Sequence, residues 1–272
     1  MIQTSLLKRI ATAIVLILAL VPSLFFLPTV IWNIACAVFA AICAYEWSRL
    51  CGLKGLALST SIFLTVAVVA AALMDVIPAK WLFVASALTW IAAVPAIIWN
   101  NSQNIAKATR IGLGGLVIAS AASALAALRL SDPALLFVLM AIVWVSDTAA
   151  YFSGRKWGRR KLAPSISPGK TWEGVAGGLT AVGIYALALI VSLPAALPQT
   201  ASRVSENGNA LFMIVCLALA VAGIVGDLAE SWAKRLAGVK DSGTILPGHG
   251  GILDRVDALL PVLPMAALIF SR

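Results

Sequence analysis

The chain has 272 residues, of which 61% are hydrophobic and only 11% charged, and its net charge is +9. A soluble domain carries about 25% charged residues, so one soluble core is excluded as the home of this much apolar surface, and lipid must be the solvent for most of it. The basic residues are thinly spread, with no basic block interleaved with aromatics, which argues against nucleic acid as a partner.

A helix needs about 20 apolar residues to cross the hydrocarbon core. The first candidate, residues 10–27, follows Lys8 and Arg9 and has the outline of a signal peptide. No small-x-small cleavage site ends it, so it reads as a retained helix. The second, 29–45, follows directly across Pro28. Then come 56–73, 79–99, 112–128, 133–152, 174–197, 210–228 and a short last span, 256–270. The expected fold is therefore an all-α polytopic membrane helix bundle of about nine spans, with eight and ten as bounds. It forms a single membrane-embedded domain over 1–272, with N-terminal helices in 1–130 and the catalytic part in 131–272. Cys36, Cys43, Cys51 and Cys216 form no C-x-x-C pair and read as buried free thiols.

With the N-terminus in the cytoplasm, the segments on the inside hold 16 of the 20 basic residues and those on the outside hold 4. That bias is the one the positive-inside rule requires. The segments expected inside include 46–54, 153–173 and 230–255. The outer connection 199–209 reads as a polar, turn-rich loop.

Acidic residues in or beside a membrane span are costly and usually functional. Asp147 lies within the sixth span and Asp227 ends the eighth. On a helix Asp227, Glu230, Ser231 and Lys234 share one face by their i, i+3, i+4, i+7 spacing. Further on, Asp254 and Asp257 flank Arg255 after "PGHGG", whose Gly250 and Gly251 let backbone amides approach an anion. His249, the only histidine, sits among those glycines and is expected to face a ligand. Carboxylates of Asp227 and Asp254 suit Mg²⁺, which binds through one or two carboxylates plus substrate phosphates. Lys234, Arg235, Lys240 and Arg255 could neutralise those phosphates. In "SPGKTWEG", Ser167, Lys170 and Thr171 are spaced by glycine as phosphate donors, with Glu173 following. There is no G-x-x-x-x-G-K-[ST] loop and no G-x-S-x-G elbow. The constellation points to metal-assisted phosphoryl or nucleotidyl transfer rather than hydrolysis by a nucleophilic serine.

The stretch from Ser231 to Asp257 resembles the signature of the phosphatidate cytidylyltransferases. Ser231, Lys234, Arg235, Lys240, Asp241, Gly243, Leu246, Pro247, His249, Gly250, Gly251, Asp254, Arg255 and Asp257 stand at its fixed positions. "SPGKTWEG", the surroundings of Asp147 and "YEWSRL" at 45–50 are similar to the same family. Ala258 departs from it, where a serine is expected. The resemblance implies transfer of the cytidylyl group of CTP to phosphatidate, giving CDP-diacylglycerol and pyrophosphate in phospholipid biosynthesis. It implies Asp227 and Asp254 as ligands of Mg²⁺, with a monovalent cation such as K⁺ alongside. The catalytic set is then Asp227, Asp254, Lys234, Arg235 and His249. The substrate-binding set is Ser167, Lys170, Thr171, Glu173, Ser231, Lys240, Asp241, Gly250, Gly251, Arg255, Asp257 and Asp147. The partners are CTP, phosphatidate and membrane lipid, with a homodimer open. The place is a cell inner membrane, crossed many times, with the site facing the cytoplasm. The alternative is a CTP-dependent lipid kinase of related architecture, which would transfer the γ-phosphoryl group instead.

Overall fold

The computed structural model describes residues 18–100, 104–206, 208–246 and 250–271. Among these, seven helices are long and apolar enough to cross a membrane: α1 (Thr29–Leu50), α2 (Gly55–Leu73), α3 (Ala79–Trp99), α4 (Lys107–Ser131), α5 (Pro133–Trp157), α6 (Trp172–Ala196) and α8 (Asn209–Leu236). A short helix, α7 (Pro198–Ser205), replaces the polar loop expected there. The one-turn α9 (Leu253–Val256) and the apolar α10 (Leu259–Phe270) end the chain. Much of the first expected span lies outside the described residues, although 18–26 are helical. The last expected span is only 12 residues long, short of a membrane crossing by itself.

Burial explains how α10 can be short. Leu259, Leu260, Val262, Leu263, Ala266 and Ala267 are all buried, and the helix packs among α3, α4 and α8. It is mainly a core element, with Leu268 and Ile269 exposed near its end. Beside it runs α4, whose Ala- and Ser-rich centre is almost wholly buried from Val117 to Ala124. Large apolar side chains on outer faces, such as Phe26, Leu56 and Phe63, are exposed, as lipid-facing positions should be.

Helices α5 and α6 pack through small residues. A Cβ added to Gly178 would lie 3.1 Å from the Ser146 carbonyl oxygen, and one on Gly174 would lie 3.0 Å from that of Ala150. Close backbone approach of this kind is how helices gain packing energy where water supplies none. Asp132 starts α5, its carboxylate accepting from the Ala134 and Leu135 amides at 2.9 and 3.2 Å, with Pro133 at the first helical position. In α3, a π-helical turn over Thr89–Ala93 interrupts the regular ladder.

The bundle has two polar rims. At one, Arg129 donates to the Leu24 carbonyl at 2.8 Å and to that of Leu27, Thr200 donates to Asp132 at 2.8 Å, and Ser131 donates to the Phe270 carbonyl at 3.3 Å. The opposite rim gathers the ends of α1, α5 and α8 with the connection between α5 and α6. There Lys107 donates to the Gly52 carbonyl at 2.9 Å and Trp47 to that of Arg110 at 3.0 Å. The segments expected on one side of the membrane therefore do lie together.

Candidate active site

The connection between α5 and α6 is not a plain loop. Residues Lys161–Ala163 (β1) and Ser167–Thr171 (β2) form an antiparallel hairpin, pairing Lys161 with Thr171 and Ala163 with Ser167. At its turn Ile166 is buried with Trp232 and Ala233 of α8, and Arg235 donates to the Ile166 carbonyl at 3.3 Å. The hairpin leads straight into α6. There Thr171 is the N-cap, its hydroxyl accepting from the Gly174 amide at 3.1 Å. Glu173 reaches back to accept from the Arg159 and Arg160 amides at 3.0 and 3.2 Å. Thr171 and Glu173 thus build the local backbone, and Thr171 is buried.

The docked hairpin delivers Lys170 to the rim, where its Nζ lies 2.6 Å from Asp227 Oδ2. Helix α8 runs on past residue 228 to Leu236, so Asp227, Glu230, Ser231 and Lys234 share the helical face that their spacing predicts. The Ser231 hydroxyl lies a long 3.4 Å from Asp227 Oδ1. One turn on, Lys234 pairs with Glu230 and, at 2.6 Å, with Asp254 Oδ1.

Asp254 is held from all sides. Its Oδ2 accepts from the Ser242 amide at 2.9 Å, the Ser242 hydroxyl at 3.0 Å and the Gly251 amide at 2.8 Å. Burial by itself would raise its carboxyl. The neighbouring Glu230 carboxyl, the Lys234 ammonium and the Gly251 and Ser242 amides outweigh burial and lower it to about 2. Asp257, at the break before α10, is pushed the other way, by burial first and then by the neighbouring Asp227 carboxylate. The Ala258 amide and Lys170 oppose that rise, and Asp147 of α5 adds to it. Lys170 thus pairs with Asp227, and its charge is also felt at Asp257.

The loop amides around the glycines do face anions, and those anions belong to the protein. The Gly251 amide goes to Asp254, while the Ile252 and Leu253 amides go to Glu46 of α1 at 3.1 and 2.8 Å. Gly250 holds φ at +84°, and a Cβ there would come 2.7 Å from Asp254 Oδ2. A side chain at that position would be both strained and in collision. Among the other expected site residues, Ser167 lies on β2, Lys240, Asp241 and Arg255 are exposed on the rim loop, and Asp147 is exposed on α5. His249 lies outside the described residues.

Two residues of the rim went unpredicted, Glu46 and Ser242. Glu46 was readable in principle, as a carboxylate at the end of an apolar span. Ser242 had no signal beyond its place in a polar loop.

The chain matches the model of the cytidylyltransferase family over residues 7–271. It is 36% identical over 271 residues to a phosphatidate cytidylyltransferase of Pseudomonas aeruginosa, a match that covers 97% of each chain. Over 136 residues it is 42% identical to the phosphatidate cytidylyltransferase of Haemophilus influenzae, covering 50% of this chain and 45% of that one. The corresponding protein of Bacillus subtilis is 45% identical over 136 residues, or 50% of this chain and 47% of the other.

Proposed function

We propose that this chain, which belongs to the cytidylyltransferase family, transfers the cytidylyl group of CTP to phosphatidate, releasing CDP-diacylglycerol and pyrophosphate. The observation that carries this reading is the Lys170–Asp227 ion pair at 2.6 Å. It joins the two rim segments whose residue types suit phosphate and metal, at the edge of a membrane bundle where a lipid headgroup and a nucleotide can meet. The names of the relatives speak for cytidylyl transfer and not for the lipid kinase.

The donor set fits a hard divalent cation. Asp227 bears one ammonium group, is a third exposed on its side chain, and meets only a long hydroxyl contact at its other oxygen. Among the described residues no group of three or more Asp, Glu, His and Cys side chains forms a metal cage. The set therefore suits an ion that takes one or two carboxylates and completes its shell with water and substrate phosphate, as Mg²⁺ does. Asp227 would offer the ion its more open oxygen, Asp254 would join it by exchanging the Lys234 ammonium on Oδ1 for the ion, and the ion would neutralise charge on the phosphates.

In the proposed reaction a phosphate oxygen of phosphatidate attacks the α-phosphorus of CTP in line, and the bond to pyrophosphate breaks. Phosphate monoesters have a second pKa near 6, so the nucleophile is largely ionised at neutral pH and needs no protein base. Lys170 and Lys234 place ammonium groups beside Asp227 and Asp254, where they stabilise charge that grows on the phosphates. Arg235, Lys240 and Arg255 line the approach, with Ser167 and Ser231 as donors. An apolar hollow walled by Trp47, Trp90, Val94, Ile97 and Val117 lies next to Glu230 and offers room for acyl chain. We place the site on the cytoplasmic side of an inner membrane, on the strength of the basic-residue bias.

The test is incubation of the purified protein with phosphatidate, Mg²⁺ and CTP labelled at the α- or γ-phosphate. Label from the α position should enter the lipid. Transfer of γ label alone would replace this reading with the kinase. Asp254→Asn should lose most of the synthesis, and wild-type activity at low Mg²⁺ would remove Asp254 from the metal site.

A further inference from the structure

We propose that Glu46 is a positioning residue for this reaction: from α1 it clamps Ser242 and the 250–254 turn in the shape that presents Asp254, paired with Lys234 of α8, to substrate. The proposal rests on the cytidylyltransferase reading for its activity readout, but not for its structural one.

Glu46 is 1% exposed, so it cannot touch either substrate directly. A carboxylate so deeply buried is costly unless its oxygens are satisfied. Here it accepts from the Ser242 hydroxyl at 3.1 Å, the Ile252 amide at 3.1 Å and the Leu253 amide at 2.8 Å. All three donors lie in the rim loop, some 200 residues away in sequence. The two amides open α9, the turn that carries Asp254 and Arg255.

Ser242 makes the connection to the rim. Its hydroxyl lies 3.1 Å from Glu46 Oε2 and 3.0 Å from Asp254 Oδ2. A hydroxyl has one proton, so it donates to one carboxylate at a time, and its oxygen, within reach of both, makes Glu46 and Asp254 share a single donor. The fit leaves no slack. A Cβ at Gly243 would come 2.6 Å from Glu46 Oε1, and one at Gly251 would collide with the Ser242 hydroxyl. A loop wrapped this closely around one carboxylate takes its shape from it, and Asp254, with Lys234 on its other oxygen, takes its place from the loop.

Glu46→Gln keeps the size of the side chain and turns one acceptor into a donor aimed at donors. Groups that orient metal ligands typically cost ~10–100-fold when changed, and a kcat loss of that order is expected here. KM for CTP and phosphatidate should stay within about threefold, since no substrate contact is lost. Hydrogen exchange, read in the same preparation, should quicken at the amides of Ser242 and Gly251 to Leu253 while α4 keeps wild-type protection. A purely structural role would slow no chemical step in protein that remains folded. Wild-type kcat in Glu46→Gln, or a loss of kcat without faster exchange in the loop, overturns the proposal.

Should Glu46→Gln fail to fold, Ser242→Ala decides. It removes only the shared hydroxyl, and a smaller fall in kcat is expected. Unchanged kcat there would sever Glu46 from Asp254. Wild-type protein inactive on CTP and phosphatidate would instead remove the functional reading, and loop exchange in the two variants would still decide the clamp.

Discussion

Asp254 has both carboxylate oxygens engaged by the protein itself, Oδ1 by Lys234 and Oδ2 by three donors of the rim loop. That engagement has a pH signature. A carboxyl lowered from its ordinary 3.8 to about 2 stabilises the folded chain by about 2 kcal/mol, present above the unfolded value and lost as pH falls through the folded one. Thermal unfolding with chelator present should therefore show wild type losing about 2 kcal/mol more than Asp254→Asn between about pH 5 and pH 2. Equal losses in the two proteins would mean that these contacts add no stability. The residue types at the rim were legible in the sequence, because a charge in so apolar a chain draws notice. Their partners were not. Nothing in the sequence says that Thr171 caps a helix, that Glu173 holds two backbone amides, or that the loop amides go to Glu46 rather than to a ligand.

Hydropathy marks where lipid ends, not where backbone hydrogen bonding ends, and the helices differ from their expected spans for that reason. Helix α8 continues to Leu236 and α1 to Leu50, because polar residues at the rim keep helical geometry while leaving the hydrocarbon. The hairpin Lys161–Thr171 was missed because Pro164, Pro168 and Gly169 signal a turn-rich loop, and its strands are only 3 and 5 residues long. Its position depends on α5 and α6, which it joins. Gly178→Leu should force those helices apart, since even a Cβ there meets Ser146 at 3.1 Å. Overpacking of this kind costs about 1–3 kcal/mol, and the shift should move Lys170 away from Asp227 and lower activity further than the stability loss explains. Gly183 has open space around the same added atom, so Gly183→Ala should leave both melting temperature and activity near wild type. A Gly178→Leu protein with normal activity would show that the hairpin's position does not depend on the close approach of α5 and α6.

Taken as one object, the molecule gathers its paired charges into two separate rims. Lys170, Asp227, Lys234, Asp254 and Glu46 meet at one rim, while at the other Arg129 donates to carbonyls, Thr200 to Asp132 and Arg203 to the Ser131 hydroxyl. The second rim does structural work: Arg129 is buried, its guanidinium 4.9 Å from the Trp32 ring, and it ties the 18–26 helix to the bundle. This division follows from solvent. Phosphate and metal chemistry needs water and mobile charge, whereas the hydrocarbon between the rims tolerates neither. Which rim meets the cytoplasm can be read directly, because the native Cys36, Cys43, Cys51 and Cys216 are all buried and give a low background for thiol labelling. Lys161 of the hairpin and Ser202 of α7 are exposed on opposite rims. In right-side-out vesicles a membrane-impermeant maleimide should label Ser202→Cys and spare Lys161→Cys, and in inverted vesicles the pattern should reverse. Labelling of both from one side would break the two-rim arrangement, and the opposite pattern would turn the site outward, away from cytoplasmic CTP.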